Sequence, residues 1–114
     1  VNNLEIEFDK QGIERRLSRE AELALYRIAQ EALTNVARHA NARRIRLNIL
    51  FGEKEITLEV SDDGVGFQTP KSPTAFAPNG HFGLLGIHER AELIGARLEV
   101  ESTLGKGTRL TVRL

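Results

Sequence analysis

Arg44-Ile45-Arg46-Leu47-Asn48-Ile49-Leu50-Phe51-Gly52-Glu53-Lys54-Glu55-Ile56-Thr57-Leu58-Glu59-Val60-Ser61 alternates apolar and polar side chains on both sides of a glycine-containing break. Ile45, Leu47 and Ile49 share one face of the first half, and Ile56, Leu58 and Val60 share one face of the second. That period of two is the pattern of half-buried strands. With Phe51-Gly52-Glu53-Lys54 as the turn, strands at Arg44–Leu50 and Glu55–Ser61 are expected to pair as an antiparallel hairpin. The pattern recurs at the end of the chain, where Arg97–Ser102 and Thr108–Leu114 alternate around Thr103-Leu104-Gly105-Lys106-Gly107 and predict a second hairpin. Leu4-Glu5-Ile6-Glu7-Phe8 alternates too, and its shortness suits a half-buried edge strand.

Between these strands the period changes. From Ser18 to Ala40 the apolar residues Leu25, Ile28, Ala29, Ala32 and Val36 recur at helical spacing. Ser18 stands at the N-cap position, and Glu20 and Glu22 lie where the positive end of the helix dipole favours acids. A second helix is expected from about Leu84 to Ile94, ending at Gly95, which suits a left-handed cap. The stretch between Phe67 and Gly80 holds all three prolines of the chain and neither period, so a mobile loop is expected there. Strand, helix, hairpin, loop, helix, hairpin is the order of an α+β two-layer sandwich: a mixed, mainly antiparallel sheet with helices on one face.

Composition bounds what such a domain can do. The 114 residues are 40% hydrophobic and 28% charged, with 16 Lys+Arg against 16 Asp+Glu. One domain of this length buries roughly 65% of its unfolded surface, enough for one core. The absence of Cys excludes disulfides, thiolate zinc sites and cysteine nucleophiles. Zero formal charge argues against direct nucleic-acid binding, which draws its affinity from counterion release at phosphates. Arg38, Arg43, Arg44 and Arg46 cluster, but no aromatic residues are interleaved for stacking on bases, so a solvated face is expected there. No apolar run reaches the roughly 20 residues that span a bilayer, so no membrane contact by this domain is expected. Val1 opens a chain without any Met, which predicts a piece of a longer protein.

Three stretches carry chemistry. In the long helix Glu31, Asn35 and His39 recur at i, i+4 and i+8, a polar stripe beside the apolar face. An Asn with a carboxylate one turn away can hold a divalent cation through oxygen and position a nucleophile, although a solvated helix face has the same pattern. The strand ending at Ser61 runs into Asp62-Asp63-Gly64-Val65-Gly66-Phe67, whose glycines let backbone approach a flat ligand beside an acid able to accept from an exocyclic amine. A plain Asp-Gly turn is the competing explanation, weakened by the long loop that follows. Gly80-His81-Phe82-Gly83-Leu84-Leu85-Gly86-Ile87 leads glycines into a helix start, whose free N–H groups suit phosphate oxygens or mark a hinge. Gly105-Lys106-Gly107-Thr108 lacks the earlier glycine of a P-loop and has its Thr one place late.

These three elements, in this order, resemble the N, G1 and G2 boxes of the ATP-binding fold shared by histidine kinases, gyrase-type topoisomerases, chaperones of the 90-kDa heat-shock class and mismatch-repair ATPases. Leu25 to Ala40 and Gly83-Leu84-Leu85-Gly86-Ile87-His88-Glu89-Arg90-Ala91 resemble in particular the bacterial sensor histidine kinases of the nitrate-sensor and membrane-fluidity-sensor type. The resemblance spans nearly the whole chain. It implies a single ATP-binding catalytic domain over residues 1–114, in the cytoplasm, with ATP and Mg²⁺ as cofactors. Asn35 would ligate Mg²⁺, Glu31 would assist as base or metal-site partner, and Arg38 and His39 would approach the phosphates. Asp62 would accept from the adenine amine, Gly64 and Gly66 would shape its pocket, and Asp63 would stand only at the rim. Gly83, Leu84 and Gly86 would pass close to the phosphates, residues 68–80 would form the ATP lid, and Thr108 would support Asp62.

The partners implied are a dimerisation domain that carries the phosphoacceptor histidine, absent from this chain, and then a response regulator. Ala96 stands where that family often has a glycine, a change expected to alter a turn and not the ATP site. His88 is expected to be structural or solvent-exposed, and His81, at the end of the loop, to be solvated, with a phosphate contact the less favoured alternative. An ATPase or serine kinase of the same fold, with Glu31 activating water or a hydroxyl, is the alternative. A degenerate domain that binds a protein and no nucleotide is a third possibility, disfavoured by the joint presence of Asn35, Asp62, Gly64, Gly66, Gly83, Gly86 and Thr108.

Overall fold

In the computed structural model, which describes residues 4–67 and 84–114, five strands form one sheet in the order β1-β2-β3-β5-β4. The strands are β1 (Glu5–Gly12), β2 (Arg44–Phe51), β3 (Ile56–Asp62), β4 (Arg97–Thr103) and β5 (Gly107–Arg113), and the helices are α1 (Arg19–Asn35) and α2 (Leu84–Leu93). Both hairpins form antiparallel, β2 on β3 and β4 on β5, and the pairing of β3 with β5 joins them into one sheet. The α+β, mainly antiparallel sandwich expected from the sequence is what the chain adopts. Residues 68–80, expected as a lid, and the neighbouring Gly83 lie outside the described residues.

The edge strand β1 pairs parallel to β2, with the 17-residue α1 in the crossover between them. Its ladder runs from Glu5↔Arg44 to Gly12↔Phe51, so β1 is longer than the alternation of residues 4–8 suggests. Long-range pairing carries the polar stretch Asp9–Gly12 into the strand. Nor is β1 half-buried: Ile6 and Phe8 continue the apolar face of β2 outward and remain 59% and 58% exposed.

Sheet alternation sorts the rest. Ile45, Leu58, Val60, Leu110 and Val112 point to one face, where Ile28, Ala32 and Val36 of the long helical segment and Leu84, Ile87 and Ala91 of α2 complete one core. Ile28, Ile45, Ile87 and Val112 are fully buried. The opposite face is charged and cross-linked by exposed ion pairs: Arg44 with Glu5 and Glu7, Arg46 with Glu7, Arg97 with Glu55, and Arg113 with Glu55 and Glu99. Such pairs contribute little stability individually, but they solvate the face and set its strands apart from the core.

The Ser18 side chain caps α1 by accepting from the Ala21 backbone N–H at 3.1 Å, and Glu22 folds back to accept from the Leu17 N–H and from Arg16. The helix does not run regularly to Ala40 as the periodicity suggests. Residues Val36–Ala40 wind as one π-helical turn, and Asn41 then turns left-handed at φ 51°. Such a turn admits one more residue per hydrogen-bonded loop and breaks the 3.6 period. Just before it the Thr34 hydroxyl donates to the Gln30 carbonyl at 2.9 Å, a side-chain bond that competes with the helical ladder. Among the described residues no helix is long and apolar enough to cross a membrane.

Candidate functional site

Where α1 passes over the ends of β3 and β5, a cavity of about 130 Å³ opens between the two layers. Its walls are mostly apolar: Ala32, Val36, Val60, Leu84, Ile87 and Leu110. Polar groups reach it from opposite sides, Asn35 from the helix, and Asp62 and Thr108 from adjacent strands in register. An apolar slot with a few convergent polar groups is the usual build of a small-molecule site.

Asp62 ends β3 half-buried, and its carboxylate accepts from the Gly64 backbone N–H at 2.7 Å. Burial pushes its pKa upward, opposed by the hydrogen bond from Gly64, reinforced by the charge of Asp63 and opposed again by a bond from the Thr108 backbone. An ionised carboxylate offers about four lone-pair directions, so it retains acceptor capacity toward the cavity. An acceptor held at the end of an apolar slot is able to pair with a donor on the edge of a flat ring.

The turn after Asp62 is held from the far hairpin. Gly66 has φ 66°, and a Cβ there would collide with the Thr103 carbonyl oxygen. Gly107 has φ 85°, and its Cβ would run into the carbonyl oxygen of Asp62 itself. Two glycines therefore let the turn and the hairpin approach backbone to backbone. Ser102 fastens them: its hydroxyl accepts from the Phe67 N–H at 2.8 Å, donates to the Gly107 carbonyl at 3.1 Å and lies 2.8 Å from the Thr108 hydroxyl. The Gly105 N–H adds a bond to the Val65 carbonyl. Nothing local in the sequence marks Ser102, because its partners stand up to 35 residues away.

The sequence-derived site residues divide as follows. Asn35, Asp62, Gly66, Leu84 and Thr108 line the cavity. Gly64 is buried just behind it and supplies the N–H that fixes Asp62. Thr108 is at hand, but its hydroxyl meets Ser102 while its backbone meets Asp62. Glu31 is half-buried one turn before Asn35 and outside the cavity lining. Gly86, half-buried in α2, is also outside the lining. Arg38 is exposed on the π turn, which also contains His39, and the regular i, i+4 stripe ends at Asn35. Asp63 stands on the outer side of the turn and accepts from the backbone N–H groups of Arg43 and Arg44 at 2.9 and 3.0 Å.

Among the described residues no three His, Cys, Asp or Glu side chains cluster as a metal cage. Beside Asp62 the cavity wall carries the Asn35 amide, with Glu31 one helical turn before it. That donor set fits a hard cation that keeps its waters and takes further oxygens from phosphates, the habit of Mg²⁺.

The family described as histidine kinase-, DNA gyrase B-, and HSP90-like ATPase matches residues 20–114. An uncharacterized sensor-like histidine kinase of Chloroflexus aurantiacus is 40% identical over 98 residues, covering 85% of this chain and 16% of its own length. The oxygen sensor histidine kinase NreB of Staphylococcus carnosus is 34% identical over 99 residues, covering 87% of this chain and 27% of its own. The chain thus spans about a quarter or less of these relatives. The ATP-binding domain of PrrB from Mycobacterium tuberculosis superposes with a TM-score of 0.69 at 20% identity, covering 100% of this chain and 81% of that one, a likeness of fold.

Proposed function

The chain belongs to the histidine kinase-, DNA gyrase B- and HSP90-like ATPase family, and from that premise we propose that it is the catalytic domain of a two-component sensor histidine kinase. It binds Mg·ATP and passes the γ-phosphoryl group to a histidine on a separate dimerisation domain, from which a response regulator takes it. The observation that carries this reading is the pairing of Asp62 and Asn35 across one apolar cavity, a ring-reading acid on the sheet and an oxygen ligand on the helix.

The adenine ring lies between the apolar walls, and its amine donates to the Asp62 carboxylate. The phosphates extend toward the exit of α1, where Arg38 and His39 stand, and toward the start of α2 at Leu84 and Gly86, because the first N–H groups of a helix favour anions. Asn35 would hold Mg²⁺ through its amide oxygen, and the bound ion would supply positive charge against the charge that develops in phosphoryl transfer. Glu31 orients the acceptor imidazole or takes its ring proton as nitrogen bonds to phosphorus and the bond to the β-phosphate oxygen breaks. Most of the rate comes from holding the reactants in line. The domain alone binds nucleotide and transfers little.

Calorimetry tests the reading. The domain should bind ATP and ADP, more tightly with Mg²⁺ than in EDTA. Asn35→Ala should abolish that metal-dependent increment and leave affinity in EDTA nearly unchanged, because a hard cation depends on its count of oxygen ligands. No heat at millimolar nucleotide would refute the function, and equal losses with and without Mg²⁺ would reduce Asn35 to a structural residue.

A further inference from the structure

Asp63 is adjacent to the ring-reading Asp62, yet the two carboxylates do different things. Asp62 turns into the cavity between the layers. Asp63 turns away and accepts from the N–H groups of Arg43 and Arg44 at 2.9 and 3.0 Å, while its own N–H donates to the Arg44 carbonyl at 3.3 Å. Three hydrogen bonds therefore join one residue of the turn after β3 to the two residues where the chain enters β2.

Those two residues follow the most irregular backbone of the long helical segment. The π turn at Val36–Ala40 and the left-handed Asn41 leave only Ala42 before Arg43. A π turn costs helical regularity and a left-handed non-glycine residue costs backbone energy, so the exit of α1 persists only where neighbouring structure fixes it. From the end of the adjacent strand the Asp63 carboxylate ties down Arg43 and Arg44 just beyond that exit, alongside the backbone bond from the Glu5 N–H to the Arg43 carbonyl at 2.8 Å. That carboxylate lies below the ordinary acid range because two N–H groups stabilise the ionised form.

We propose that Asp63 is a positioning residue that holds the exit of α1 in register with the turn that reads the ring. The inference rests on the nucleotide-binding function proposed above. It assigns Asp63 a specific consequence: affinity for the phosphate part of the ligand depends on it, and affinity for the ring part does not. Arg38 and His39 ride on the π turn, five and four residues before Arg43, the nearer residue that Asp63 holds. Asp62, by contrast, is fixed from the other side by Gly64 and Thr108.

The test compares adenosine with ADP and ATP on the parent domain, Asp63→Ala and Asp63→Asn, by calorimetry on samples shown to be folded. Asp63→Ala should weaken ATP and ADP by about tenfold, the loss expected for about 1.4 kcal/mol of misplaced polar contact, with adenosine bound as in the parent. Asp63→Asn keeps an acceptor oxygen for the two N–H groups and should restore most of the phosphate-dependent affinity. In amide exchange, Arg43 and Arg44 should lose protection in Asp63→Ala and regain it in Asp63→Asn. Adenosine and ATP weakened equally, or neither weakened while only stability falls, would overturn the positioning role. Where Asp63→Ala does not fold, Asp63→Ser carries the same comparison. A parent domain that binds none of the three ligands would instead refute the nucleotide-binding function itself.

Discussion

Asp62 and Asp63 are the same side chain in consecutive positions, and their surroundings drive them apart. Burial raises Asp62, whereas two backbone N–H groups lower the exposed Asp63. The signs of their linkage to folding are therefore opposite. For Asp62, with its folded pKa above the unfolded one, the stabilising contribution is complete below the unfolded value and is lost as pH rises through the folded value. At neutral pH its ionised form costs stability. For Asp63, with its folded pKa below the unfolded one, the contribution is present above the unfolded value and is lost as pH falls through the folded value. Asp62→Asn should therefore be at least as stable as the parent near pH 7 in urea denaturation. The same variant should lose roughly 1.5–3 kcal/mol of ATP binding, the worth of a hydrogen bond to a charged group. A variant both unstable and unchanged in affinity would mean that Asp62 serves the fold and not the ligand.

At the scale of elements, the site is a junction between the turn after β3 and the β4–β5 hairpin, and its closeness depends on missing side chains. Gly105 and Gly107 both have φ above 80°. A Cβ at Gly105 meets nothing within 4 Å, whereas one at Gly107 collides with the Asp62 carbonyl. Gly105→Ala should cost about 1–2 kcal/mol, the left-handed penalty alone. Gly107→Ala should cost more and also weaken nucleotide binding, because the hairpin can relieve the clash only by displacing the strand end that carries Asp62. Denaturation and calorimetry on the pair separate the two effects, and equal losses in both variants would show that the close approach does not matter. Ser102 belongs to the same junction, tying Phe67, Gly107 and Thr108 together.

Across the molecule, the cavity and the core share walls. Ala32, Val36, Val60, Leu84, Ile87 and Leu110 belong both to the packed apolar cluster and to the lining of the site. No such cavity exists in an unfolded chain, so a ligand there stabilises the fold by mass action. At about 100 times its dissociation constant, ADP should add about 2.7 kcal/mol of unfolding free energy. For a domain of this size that is a rise of about 10 °C in the thermal midpoint. Removing the nucleotide by dialysis should restore the lower midpoint, and Asp62→Asn should show a much smaller rise at the same ADP concentration. A midpoint indifferent to ADP would place the ligand away from the core.

Local pattern by itself determined the elements of this protein: the period of two in both hairpins, the period of 3.6 from Ser18 into the N-terminal part of the long helix, and the glycine pair after Asp62. These follow from forces that act within a few residues, namely alternation across a sheet, capping of a helix by a side chain and the conformations open to glycine. Order along the chain was also enough to put Asn35 and Asp62 on facing layers. Only the tertiary structure decided the extension of β1 along β2 to Gly12, the exposure of Ile6 and Phe8, the π turn that ends the Glu31–Asn35 stripe, and the partners of Asp63 and Ser102. The pairing of β1 and the partners of Asp63 and Ser102 depend on residues brought together from distant parts of the chain, 20 positions apart for Asp63 and Arg43 and 35 for Phe67 and Ser102. A hydrogen bond across such a distance leaves no period in the sequence, because the geometry that selects it exists only after the sheet has closed.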